Sequence, residues 1–313
     1  MFARTFVPAD LEACLAMRQE RIGQEIIGYE RALSAWKALV TTTAFRSLVI
    51  ETPKPIAGHH IVGFGASAFV SQEFAREETS NPRPGLNQRI IAGIDSHCSV
   101  VLTDAQLRKQ NTYGGLCLVV LFTDWRRDIL TAEQITEVKL ALAQNGVERL
   151  AGYRLEHMLL EAIDAVDLEY IESTGVYRLI RAFGGFPSGN KCESARALFA
   201  INKTSAESVV GSVATFVFHY TPPVIRFREC QQQLLSAALK GLTDQELAPY
   251  LNLKIQTVKK RWASIYAQVA EVFPDLLPES NNHVDHQTRG RQKRHHLLAY
   301  LRNHLEELRP FIR

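Results

Sequence analysis

Seven side chains near the C-terminal end of the chain combine charge with hydrogen-bonding capacity at helical spacing: Lys254, Gln256, Thr257, Lys259, Lys260, Arg261 and Ser264. Lysines at this density neutralise phosphates, an attraction that weakens as salt rises. Arg261, Gln256 and Thr257 carry the donors and acceptors that read base edges in a DNA major groove. Taken alone, Lys259-Lys260-Arg261 reads as a solvated helix face. The short capped helix before them, the turn and the order of the helices change that reading. Val258, Trp262, Ile265 and Val269 fall on a single helical face, so the same segment has an apolar side to anchor and a cationic side to present. Double-stranded DNA is the partner this stretch predicts.

The elements that must hold that face are short and sharply bounded. Leu234, Leu235, Ala238 and Leu239 repeat at helical intervals and stop at Gly241, a natural helix end. Thr243-Asp244-Gln245-Glu246 is a capping box opening a second short helix, and Asn252-Leu253-Lys254 makes the turn into the third, over residues 256–269. Residues 226–270 resemble the LuxR-type (GerE-like) helix-turn-helix, with Gly241, Glu246, Leu247, Ala248, Thr257, Val258 and Lys259 on its signature positions. Lys254, Arg261 and Pro249 depart from the pattern, and Pro249 is expected to bend the second helix. The resemblance implies an all-α module that binds paired half-sites as a homodimer, hence a transcriptional regulator. Residues 279–288 are polar and read as a linker. Arg289 to Arg294 are basic and lead into an amphipathic helix that ends by Pro310.

The front of the chain reads as α/β. Strands are expected over 6–12 (followed by a helix capped at Asp10), 45–51, 60–70 and 115–122, the last a nearly continuous apolar run as in a strand buried on both faces. Helices are expected at 28–40, 131–144 and 153–166, and the β-branched and aromatic run 214–220 predicts a closing strand. This order is similar to the GNAT acyltransferase fold, a mixed sheet. The resemblance implies acyl-CoA as a cofactor, held by a Q/R-x-x-G-x-G/A loop at a helix start. The nearest match is Arg149-Leu-Ala-Gly152-Tyr-Arg154, which nominates Arg149, Gly152 and Arg154. Arg154 stands where the motif has Gly or Ala, and an ordinary loop before a helix accounts for these residues better. Gly63-Phe-Gly65 reads as a strand with close packing rather than a dinucleotide loop. Asp124-Trp125 and Trp36 are candidates for a pocket or for the core, and no nucleophile–base spacing nominates a catalytic residue.

The whole chain, 313 residues, is 46% hydrophobic and 22% charged, an ordinary globular balance. From Thr221 onward 14 bases stand against 9 acids, while the first 220 residues hold 22 bases and 24 acids, the asymmetry of a protein with one end at a polyanion. Five cysteines without a CxxC pair predict neither disulfides nor zinc, and the histidines lack ligand spacing. No apolar run reaches the roughly 18 residues of a membrane span, and the start lacks the layout of a secretory signal. The expectation is a cytoplasmic regulator without enzymatic activity and away from membranes. It comprises an α/β sensor over 1–222 open to a small-molecule effector, a DNA-binding module over 223–278, and a linker with a basic helix over 279–313. The alternative is an acyl-CoA-dependent N-acyltransferase fused to a DNA-binding tail.

Overall fold

A computed structural model describes residues 1–18, 23–184, 196–277 and 286–312, with no account of the side chains of residues 286–291. The chain divides into two compact units, Met1–His219 and Tyr220–Arg313. The first runs β1 (Phe2–Thr5), α1 (Leu11–Leu15), α2 (Gln24–Ile27), α3 (Tyr29–Leu39), β2 (Phe45–Ile56), β3 (His59–Val70), α4 (Gln72–Ser80), α5 (Leu86–Asp95) and α6 (Asp104–Lys109). It continues with β4 (Leu116–Trp125), α7 (Ala132–Leu150), β5 (Leu155–Ala162), α8 (Ala165–Ser173), β6 (Arg178–Ala182), β7 (Ala197–Asn202), α9 (Lys203–Glu207) and α10 (Ala214–Phe218). The strands form one seven-stranded sheet in the order β1-β2-β3-β4-β5-β7-β6. Every pairing is antiparallel except β4 with β5. This is a mixed α/β unit.

Alternation decides which face each strand residue serves. Phe45 and Val49 of β2, Phe64 and Ala66 of β3 and Phe122 of β4 share a core with Leu11, Trp36 and Ile90. Leu48 and Ile50 point the other way, joining Trp125, Val138 and Leu142 under α7. Gly63 and Gly65 lie on that second face, where a Cβ on Gly63 would meet Val138 Cγ1 at 2.7 Å. Their lack of side chains lets α7 settle directly on β3, the close packing that the sequence suggested. Both Trp36 and Trp125 are fully buried in these cores.

Three elements differ from expectation. Residues 155–162 form the strand β5, not a helix, because they pair with β4 on one side and β7 on the other. Residues 214–218 are the helix α10 instead of a strand, with Val217 and Phe218 turned inward. The first strand is Phe2–Thr5, and the Asp10 side chain makes no capping hydrogen bond to α1, serving instead the short 3-10 turn Pro8–Asp10 before it. It accepts from the Val7 N–H at 2.8 Å and pairs with Arg4.

The second unit is helical: α11 (Glu229–Leu239), α12 (Asp244–Tyr250), α13 (Ile255–Val272) and α14 (His286–Asn303). Thr243 and Glu246 make the expected reciprocal cap. Leu234, Leu247, Val258, Trp262 and Ile265 share one core with Leu297, Leu301 and Leu308, so the C-terminal helix packs with the others. Residues 286–288, expected in a linker, begin α14, while residues 279–285 and Cys192 lie outside the described residues. Among the described residues no helix is long and apolar enough to cross a membrane.

Candidate active site

The parallel pair at the middle of the sheet opens toward its C-terminal end. β4 and β5 pair from Leu116 beside Leu155 to Val120 beside Leu160, with one register shift after Leu116, and there the pairing stops. β4 continues to Trp125, while β5 turns away to follow β7. At the point of divergence β4 carries a bulge. Ser67 of β3 faces Val120, Ala66 faces Phe122, and Leu121 is the extra residue between them. A bulge bends its strand and interrupts the ladder locally. The side-chain amide of Asn87, near the start of α5, fills the gap by donating to the Leu121 carbonyl at 2.8 Å.

Asn87 is placed by an acid on the neighbouring strand. Glu161 of β5 is buried, and its carboxylate accepts from the N–H groups of Gly85 and Leu86 at 2.7 and 2.8 Å, at the N-terminus of α5. Burial pushes this carboxyl above the ordinary range, against the two N–H donors and the fields of Arg196 and Arg89 that pull it down. Glu161 stands one residue beyond the last β4–β5 pair, so α5, the bulge and the splay are tied together.

The open end of the splay is spanned by an ionic cluster. Arg127, in the segment after β4, donates to Asp124 at 3.0 Å, to Asp164 at 3.0 Å and to Asp167 at 2.8 Å. Arg18 reaches Asp124 at 3.1 Å and also pairs with Asp164. Asp124 and Asp167 are almost wholly buried, and Asp164 caps α8. Burial alone would raise the Asp164 carboxyl. The Asp167 N–H and the two guanidinium groups outweigh it and hold the group below its usual value.

On the α7 face the splay opens into a cavity of about 470 Å³. Leu118, Val120 and Thr123 of β4 and Met158 and Leu160 of β5 form its floor. The C-terminal half of α7, α8 and the segment 209–218 form its walls. This is the size and the predominantly apolar lining of a small-molecule site.

The residues nominated from sequence fall elsewhere. Gly152 follows the last turn of α7 with φ +81°, so the Arg149–Arg154 hexapeptide sits at a helix C-terminus and leads into a strand. Carbonyl groups, not N–H groups, face outward there, and an anion gains nothing. Arg154 is spent on local structure: its N–H donates to Asn111 at 2.8 Å and its guanidinium to the Thr112 carbonyl at 3.1 Å. Only Arg149 belongs to the site, as part of the cavity lining beside Arg46. The segment directly after β4, residues 126–131, contains no glycine, and the first turn of α7 is capped by Thr131 and Gln134. A backbone cradle of the usual kind for a diphosphate is therefore not formed by residues 126–131 and the first turn of α7.

Of the seven nominated DNA contacts, Lys254, Gln256, Lys259, Lys260 and Ser264 are exposed on the first half of α13 or at its cap. Thr257 and Arg261 are half-buried, Arg261 donating to the Cys230 carbonyl at 3.3 Å, and the Ser264 hydroxyl accepts from Gln231 at 3.4 Å. No group of metal-ligating side chains occurs among the described residues. Asn87, Arg127 and Glu161 were not singled out in the sequence, since their significance depends on the sheet that gathers them, and Asp124, a pocket candidate there, belongs to the buried ionic cluster.

No family model matches the chain, and no curated protein matches it in sequence. It is similar in structure to an Arabidopsis thaliana NAA60 in complex with acetyl-CoA (16% identity, 64% of this chain and 98% of that one, TM-score 0.33). It is likewise similar to a ribosomal-protein-alanine N-acetyltransferase from Brucella melitensis (12% identity, 64% and 99%, TM-score 0.35). A third is FeeM, an N-acyl amino acid synthase from uncultured soil microbes (8% identity, 66% and 94%, TM-score 0.33). Two of these are named as enzymes, an N-acetyltransferase and an N-acyl amino acid synthase. This finding corrects the expectation of a LuxR-type transcriptional regulator with DNA as its partner and no enzymatic activity.

Proposed function

We propose that the sheet unit is an N-acyltransferase, moving an acyl group from a thioester donor such as acyl-CoA to an amine. The observation that carries this reading is the divergence of β4 and β5 just past Val120 and Leu160, at a bulge with an apolar cavity on one side. A thioester supplies an activated carbonyl carbon and a thiol leaving group. With the acyl chain in the cavity, that carbonyl would lie beside Leu121. Attack by the amine nitrogen then forms the C–N bond as the C–S bond breaks, and the amine's proton leaves with the thiol or to solvent. Held in place, the two reactants no longer need to find each other at each turnover.

The chain's own residues have positioning roles in this proposal. Glu161 fixes the start of α5, Asn87 supports the bulge carbonyl, and the Arg18–Arg127 cluster limits how far the strands part. Incubation with an acyl-CoA should protect the protein against heat, by about 2.7 kcal/mol at a hundred times the dissociation constant. Addition of an acceptor amine should then release free thiol. A melting temperature indifferent to acyl-CoA at millimolar concentration would overturn the proposal.

A further inference from the structure

The cavity is larger than a two-carbon acyl group requires, and its lining is selective. Leu48, Leu142, Val147, Met158, Leu160 and Val217 supply apolar surface, and no carboxylate lies among the described lining residues. Of its two arginines, Arg46 stacks on the rings of Phe69 and Tyr153 and donates to the Thr43 and Phe45 carbonyls. Its charge is thus already engaged. The tyrosines Tyr170 and Tyr177 in the wall have their phenols pushed up by burial, the mark of a poorly hydrated surrounding. A concave, largely apolar cleft of about 470 Å³ has the room and the lining to take an apolar ligand.

The void also has a direction. Its floor follows β4 from Thr123 down to Leu118, about 15 Å at the usual rise of a strand. The upper end is the splay, and the lower end lies between the last turns of α7 and Arg46. We infer that this cavity receives the aliphatic chain of the acyl donor and selects medium or long chains over acetyl. The inference rests on the acyltransfer reading and names the substrate class of that site. The chain enters beneath the thioester at the splay and runs along β4 under the C-terminal half of α7.

Each buried methylene should tighten binding about fourfold. Octanoyl-CoA is therefore expected to bind the full-length protein at least about a hundredfold more tightly than acetyl-CoA. The blocking variant is Gly146→Trp. Gly146 lines the cavity from α7, and a Cβ there meets nothing within 4 Å, so the indole fills space without a clash at its base. Gly146→Leu serves as a smaller block if the tryptophan lowers the melting temperature of the free protein. Either should bring the ratio of octanoyl-CoA to acetyl-CoA affinity down toward one. Equal affinities in the unaltered protein, or a chain preference that survives both blocks, would overturn the inference.

Free octanoic and palmitic acids separate the two readings. Their binding, lost on blocking, with no response to any acyl-CoA, would uphold an aliphatic-chain site while removing the transferase. Failure of every acyl-CoA and both fatty acids would remove the two together.

Discussion

A Cβ added at Gly63 would stand 2.7 Å from Val138 Cγ1 and 3.2 Å from two atoms of Ile50, all buried beneath α7. Neither neighbour has room to retreat, because both are fixed in the core between helix and sheet. Gly63→Ala should therefore destabilise the sheet unit by about 1–3 kcal/mol through overpacking. Denaturant midpoints at constant slope measure the loss. At Gly65 the corresponding contact is 3.4 Å to Leu142 Cδ2, which a small rotation relieves, so Gly65→Ala should cost less. Equal midpoints for Gly63→Ala and the unaltered protein would mean that α7 does not bear on β3. The same two glycines show how physical detail hides at this scale. Gly63-Phe-Gly65 looks superficially like part of a phosphate loop, and only the absence of a third glycine and a following helix argued for packing instead.

The ionic cluster belongs to the scale of elements, since Asp124, Arg127, Asp164 and Arg18 come from β4, the loop after it, α8's cap and the end of α1. Arg127→Ala would leave two buried aspartates, Asp124 and Asp167, with Arg18 alone, and should cost about 3 kcal/mol. The pH dependence carries a second signature. Asp164 is held below its ordinary value of 3.8 in the fold, so its contribution is fully present above that pH and is lost progressively as pH falls below it, through the lower value that the fold imposes. Unfolding free energies compared between neutral pH and about pH 3 should fall less steeply in Arg127→Ala than in the unaltered protein. Identical slopes would show that the guanidinium does not hold Asp164. Element by element, β2, β3, β4, α3 and α7 were legible, because alternation, a continuous apolar run and 3.6-residue spacing each mark them locally. β5 was not. Leu155, Met158, Leu159 and Ala162 fall on helical spacing among good helix formers, and only pairing with β4 and β7 makes them a strand. That single misreading placed the hexapeptide Arg149–Arg154 at a helix start. Conversely, Thr215, Phe216, Val217 and Phe218 have strand propensity, yet form a short helix in the wall of the cavity. The cavity itself is assembled from residues distant in sequence and leaves no local mark.

At the scale of the molecule, the two units have separate cores, and the second is closed on itself by one side chain. Glu307, fully buried, accepts from three successive N–H groups, Val224 at 2.8 Å, Ile225 at 3.1 Å and Arg226 at 3.3 Å. Arg226 has φ +58°, a left-handed conformation that turns consecutive N–H groups toward one point and makes a concave anion site. The carboxylate thus joins the end of the chain to the segment where the helical unit begins, across more than eighty residues. Glu307→Ala would leave the buried Ile225 N–H unpaired and take the acceptor from the partly buried N–H groups of Val224 and Arg226, at about 3 kcal/mol, the upper part of the range for lost partners. Amide exchange in α11 should then quicken about a hundredfold, since the opening that exposes it is the opening of this unit. Amides of β3 and β4 should keep their rates. Faster exchange in both regions would mean that the units open together, and unchanged exchange in α11 would mean that the N–H groups of 224–226 find other acceptors once the carboxylate is gone.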